Sequence, residues 1–360
     1  MDKYKSLGLF SVLICVRTFL IICSPEASDA AHMAGAALSL IFQYLCAVPM
    51  LILYKDKNFS LKKDMLFGKF GCMLYALFFI ILGSESFSML WEVTKSVHFP
   101  IDSSLTGALI LAAVCVYTAS FGIKAVSRAS WILAALTAVS LAVMITGAVP
   151  KMDLSNFSPS ADTKDIIRYA LRDLAQSGEL VMLFVLMQFS DKQRSKSTLA
   201  FFAGKLILTE SISLIEITVL GKVMSISDIP FFTAGAFSQP LSIQRADPLY
   251  MLLFTMLCVF TATLQIVLSV MFIKELLPKL KYKTLAAAVL MLGISAVSGS
   301  FDTDLLPLTG TMIVILAVLF PAAMLIRRKI YAIQKNNNSS NNSSDTGSPD
   351  RLHTGERASQ

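Results

Sequence analysis

Apolar residues in this chain come in long runs separated by brief polar segments, without the short alternation of a half-buried strand. Ten runs, at about 7–24, 33–54, 67–91, 104–122, 126–149, 166–189, 198–221, 248–273, 284–300 and 306–326, approach or exceed the roughly 18 residues a helix needs to cross about 30 Å of hydrocarbon. The pattern predicts an all-α integral membrane protein with about ten transmembrane helices. The first run follows Lys3 and Lys5 as a secretory leader would, but Arg17 within its core and bulky Ile22 before Cys23 predict a retained span. Apolar periodicity stops near Asn336. A transmembrane domain over 1–330 is therefore expected to precede a disordered, Asn- and Ser-rich cytoplasmic tail over 331–360.

Composition strengthens this picture, since 55% of residues are apolar, 15% are charged and the mean hydropathy is +0.67. Lysines and arginines cluster in alternate loops: Lys55, Lys57, Lys62, Lys63 and Lys69; Lys124 and Arg128; Lys192, Arg194 and Lys196; Lys274, Lys279, Lys281 and Lys283; Arg327, Arg328 and Lys329. The intervening loops are nearly free of them, which predicts cytoplasmic termini. This asymmetry accounts for the net charge of +7 and gives no reason to invoke nucleic acid. The six cysteines lie in or beside apolar runs without CxxC spacing, and the three histidines fall in loops and the tail. Neither set predicts a metal site, and no HExxH, GxSxG or phosphate-loop motif supports an enzyme or a bound cofactor.

The informative residues are polar ones inside the spans: Arg17, Glu85, Glu179, Glu210, Glu216 and Gln265. Exposing an ionised side chain to lipid costs about 2.5 kcal/mol or more, so such groups are expected to face a bundle interior or a cavity. Two carry local breakers: Arg17-Thr18 with Pro25 beyond it, and Gln176-Ser177-Gly178 before Glu179. Spans 1 and 6 are five apart. Helices interrupted at corresponding positions of two five-span halves point to a substrate site in inverted-repeat transporters.

The stretch SGELVMLFVLMQFSDKQRSK resembles the sixth span of the spore germinant-receptor B subunits, the spore germination permeases. Pro230-Phe231-Phe232, and the Gln244-Arg245-x-Asp247 block before the eighth span, resemble that family's extracellular segment. The resemblance covers about residues 7–327. It implies an amino acid, polyamine and organocation transporter-like fold, a five-plus-five inverted repeat with broken helices 1 and 6. It also implies an endospore inner-membrane subunit that binds a small nutrient, often an amino acid, and triggers germination with A and C subunits. A proton- or cation-coupled amino-acid transporter is the alternative.

Individual residues keep two readings each. Glu179 either receives a ligand amino group or caps backbone freed by the break; Gly178 serves the backbone through unusual dihedrals or close approach. Arg17 either binds a ligand carboxylate or neutralises Glu179 or Glu85. Ser84 and Glu85 line a cavity or pack span 3, and Thr261 and Gln265 are a pocket wall or an interhelical bond. Glu210 and Glu216, six residues and about 120° apart on a helix, do not form one carboxylate pair. Arg245 and Asp247 are expected to hold the outer mouth together.

Overall fold

A computed structural model of the chain describes residues 6–23, 29–56, 59–61, 65–93, 104–157, 162–190, 194–227, 229–238, 247–301 and 305–344. Among these there is no β-strand. The helices are α1 (Ser6–Ile22), α2 (Ala30–Lys55), α3 (Lys69–Val93), α4 (Ser104–Ser120), α5 (Gly122–Ala148), α6 (Thr163–Gln176), α7 (Glu179–Leu186), α8 (Arg194–Leu220), α9 (Pro230–Phe237), α10 (Asp247–Leu276), α11 (Lys283–Phe301), α12 (Leu306–Ile313) and α13 (Phe320–Ser344). A π-helical segment, Val314–Leu319, joins α12 to α13.

Among the described residues five helical stretches are long and apolar enough to cross a membrane: Ala30–Lys55, Lys69–Glu92, Gly122–Lys151, Leu249–Leu276 and Pro307–Tyr331. Four shorter ones, Gly8–Ile22, Leu109–Ser120, Glu179–Phe189 and Lys283–Ser298, are also apolar. Eight of the ten apolar runs fall on a single helix each, whereas 166–189 takes in α6, the break and α7, and 306–326 takes in α12, the π-helical segment and the start of α13. The two longest runs missing from the first group are absent for different reasons: α8 carries Lys205, Glu210 and Glu216, and the α6–α7 run is interrupted at Ser177-Gly178.

α7 lies at the centre, with every residue from Glu179 to Leu186 buried. A helix that is apolar all round is stable only when neighbours enclose it on every side. α6 is its opposite, amphipathic, with acidic and basic residues on one face. It packs on α2 and α12, while α3 packs against α10 and α11, and α1 against α5, α8 and α10. On α2 the buried residues facing inward recur every four positions, Gly35, Ser39, Gln43 and Ala47. Such small residues let two backbones approach closely. A Cβ built on Gly35 would lie 2.7 Å from Tyr169 Cβ and 2.9 Å from the Ile166 carbonyl oxygen.

Two of the cation-rich segments meet at the C-terminal end of α2. There Arg194 Nη1 donates to the Tyr54 carbonyl at 2.6 Å, and Arg328 pairs with Asp56 at 2.9 Å. Tyr54 in turn donates to the Phe184 carbonyl of α7 at 2.8 Å.

One expectation changes. α1 is continuous through Arg17 and Thr18, so the interruption expected there is absent; the Thr18 hydroxyl bonds back to Ile14 O at 2.8 Å without breaking the helix. Pro25 lies outside the described residues. At the other end α13 runs to Ser344, and 345–360 lie outside the described residues.

The close contact of α2 with α6 backbone makes Gly35→Ala destabilising by about 1–3 kcal/mol. Gly178→Ala should cost less, because its nearest obstacle is the Leu82 side chain, 2.8 Å from the added Cβ, and a methyl group can rotate aside. Thermal unfolding of the two detergent-solubilised variants gives that order; a reversed order would place the tight packing elsewhere.

Candidate functional site

Inside the bundle four ionisable groups come together from four helices. Arg17 of α1 donates through Nη2 to Asp173 Oδ1 of α6 at 2.6 Å, and its Nη1 is 3.5 Å from Glu179 Oε1 at the start of α7. Lys205 of α8 reaches the same Glu179 oxygen at 2.7 Å. Its ammonium also donates to Gln43 Oε1 at 2.6 Å and to Ser177 Oγ at 3.0 Å, which uses all three of its donors. Gln43 Nε2 then donates to Asp173 Oδ2 at 2.8 Å and to Ser39 Oγ at 2.8 Å. Lys205 is eleven residues from Arg194, and Gln43 eleven from Tyr54. At a helical rise both lie about 16 Å from the basic end, roughly mid-depth in a membrane.

The helix break builds this site. α6 ends at Gln176, Ser177 leaves helical geometry with ψ 55°, and α7 restarts at Glu179. The Ser177 hydroxyl accepts from Lys205 and donates to the Asp173 carbonyl at 2.6 Å, so one side chain serves both the cation and the backbone freed by the break. Glu179 sits at an N-terminus, where the helix dipole favours a negative charge. Gly178 has ordinary helical dihedrals, φ −57° and ψ −22°, so its role is the close approach of the Leu82 side chain and not unusual backbone geometry.

Two cations face two carboxylates, so the buried charge sums to zero. Such compensation is required in a low-dielectric interior, where an unpaired ion costs several kcal/mol. Two polar atoms of the cluster nevertheless make no hydrogen bond: Arg17 Nε, a donor, and Glu179 Oε2, an acceptor, both buried. A cavity of about 40 Å³ lies against Arg17 and Asp173, walled by His32, Tyr169, Arg172 and Glu216. It has room for one or two water molecules.

The structure brings together Arg17, Ser177, Gly178 and Glu179 from the expected set, pairs Arg17 with Glu179 at 3.5 Å, and adds a closer partner to each. Asp173 is Arg17's closest partner, and Lys205 is Glu179's. Thr18 is spent on its own helix, and the Ser84 hydroxyl likewise donates to Ile81 O at 2.6 Å. Glu85 is half-buried on α3. Its neighbour Ser88 bonds Ser295 of α11 at 2.8 Å, an interhelical packing contact. Thr261 and Gln265 are buried on α10, where Thr261 Oγ1 and Gln265 Oε1 make no hydrogen bond. Arg245 lies outside the described residues, and Asp247 opens α10.

Lys205, Asp173, Gln43 and Ser39 escaped the sequence reading. Lys205 carried the signal that singled out Arg17, an ionisable residue well inside an apolar run, but so near the basic loop it reads as a lysine snorkelling to the surface. Asp173 is camouflaged by Arg168, Arg172 and Asp165 on the polar face of α6.

Breaking one member of a compensated set strands its partner. Lys205→Met alone and Glu179→Gln alone should each lower stability by about 3–5 kcal/mol. The double variant, which restores neutrality, should recover most of that loss in thermal unfolding; strictly additive losses would refute charge compensation as the organising interaction.

The sequence model of a family described as spore germination protein matches residues 33–304. That is well over half of the chain, and it takes in every member of the cluster except Arg17. A search of curated proteins found no match. With its apolar helices and this match, the chain belongs to the spore germination permeases, a family of multi-pass membrane proteins.

Proposed function

We propose that this protein is the nutrient-sensing membrane subunit of a spore germinant receptor. A small zwitterionic nutrient such as an amino acid binds between α1 and the α6–α7 break, and triggers germination together with A and C subunits. The observation that carries this reading is the pair of unmade bonds at Arg17 Nε and Glu179 Oε2 inside a neutral cluster. A buried polar atom left without a partner costs about 1–3 kcal/mol. A ligand carboxylate would accept from Arg17 and its ammonium would donate to Glu179, relieving both, and a zwitterion adds no net charge to the interior.

A cavity of about 40 Å³ does not hold an amino acid, so binding requires α1 to part from α6. The nutrient then favours the more open packing in proportion to its differential affinity, and partner subunits read that shift.

The helix pairings support a five-plus-five inverted repeat. With α1 matched to α6–α7, α2 to α8, α3 to α10, α4 to α11 and α5 to α12–α13, the contact of α2 with α6 answers to that of α8 with α1. The contact of α1 with α5 likewise answers to α6 with α12, and α3 with α11 to α10 with α4; all six are present. The convergence of Arg194 and Arg328 at one end supports cytoplasmic termini in the spore inner membrane.

A second reading, an amino-acid transporter coupled to a proton or cation, draws on Glu210, whose Oε1 is buried without a hydrogen bond. Uptake of labelled amino acid into proteoliposomes, abolished by Glu210→Gln, would favour it over sensing.

Spores carrying the receptor should germinate with a free amino acid from a panel and respond about 10- to 100-fold less to the same compound N-acetylated or amidated, since each derivative loses one charged hydrogen bond. Equal responses to the derivatives would overturn the assignment of Arg17 and Glu179 to ligand.

A further inference from the structure

A groove of about 460 Å³ runs along the outside of the bundle between α4, α5 and α10, far from the charged cluster in character. Phe121, Ala125, Ala129, Ile132 and Leu133 form its α5 side. Its hydroxyl groups are already spent. Thr118 and Thr263 bond each other at 2.8 Å, Thr118 also bonds the Val114 carbonyl at 2.8 Å, and Thr255 donates to Met251 O at 2.9 Å. A polar occupant would find no partner there, whereas an apolar chain loses nothing.

From Phe121 to Leu133 the groove follows about 18 Å of helix, close to the roughly 15 Å depth of one membrane leaflet. One end of it lies where α5 begins, at the one-residue turn that joins α4 to α5. Two exposed cations, Lys124 near that end and Arg128 one turn further along α5, each directly precede a groove-lining alanine. Length, dryness and charge thus change in the order of a phospholipid read from tail to headgroup.

We infer that this groove is a binding site for an anionic phospholipid, with one acyl chain along α5 and the phosphate held by Lys124 and Arg128. The site is independent of the nutrient reading. It takes its lipid from the leaflet next to the cation-rich loops, and the basic pair selects headgroups by charge, because each basic residue near an anionic headgroup adds a separable increment of affinity.

The test is native mass spectrometry of the full-length, detergent-purified protein titrated with phosphatidylglycerol or phosphatidylcholine of identical chains, with thermal unfolding in lipid-free detergent as the folding control. Wild type should bind phosphatidylglycerol roughly 10- to 30-fold more tightly. Lys124→Gln with Arg128→Gln should remove that preference while keeping binding of both lipids. Ala129→Phe, which fills the groove from a half-open position, should remove both, with Ala125→Leu as a second filling variant in case the first fails to fold. Glycerol phosphate, the headgroup chemistry without chains, should not displace the lipid. Unchanged lipid binding in a folded groove-filling variant, no headgroup preference in wild type, or displacement by glycerol phosphate would each overturn the site.

Discussion

The contact of Lys205 with Glu179, backed by Arg17 with Asp173, is the constraint on which the interior depends. Charges at mid-depth in a membrane protein have no water to fall back on, so they must neutralise one another within hydrogen-bonding distance. That requirement fixes the relative positions of five helices. α8 must bring its lysine to the end of α7, α1 its arginine to α6, and α2 must come near enough for Gln43 to bridge Lys205 and Asp173. The glycine at position 35 permits that last approach, so packing and electrostatics are met by the same stripe of α2.

The broken helix follows from the same demand. A continuous sixth helix would keep its carbonyls and amides paired along its length and would present no helix N-terminus at Glu179. Interrupting it at Ser177 creates both a dipole end for the carboxylate and a freed carbonyl, which the Ser177 hydroxyl satisfies. The apolar α7 below the break anchors the arrangement, tied to the basic end through the Tyr54 bond to the Phe184 carbonyl. Rigid packing below and a compensated but incompletely bonded cluster above give a site that can reorganise locally without unfolding the bundle.

Much of this architecture was legible in the sequence. The apolar runs located the helices, because hydrocarbon thickness sets helix length whatever the neighbours are, and the breakers at 176–178 located the interruption. Arg17 and Glu179 also stood out, as charges in apolar surroundings. The break expected at Arg17-Thr18 did not materialise, since neither residue prevents helical dihedrals and the proline lies further on. Lys205 and Asp173 stayed hidden for opposite reasons, one close enough to a basic loop to resemble an end lysine, the other among charged neighbours on a polar face.

What the amino-acid sequence determined by itself is the class of molecule: an all-helical, multi-pass membrane protein whose sixth apolar run is interrupted and whose spans carry charge. Composition and run length suffice for that, since solvent partition acts on each segment separately. Which charge meets which was decided only by the tertiary structure. Ion pairing in a dry interior depends on helix rotation and separation, and these are set by side-chain packing between segments as much as 188 residues apart, as Arg17 and Lys205 are.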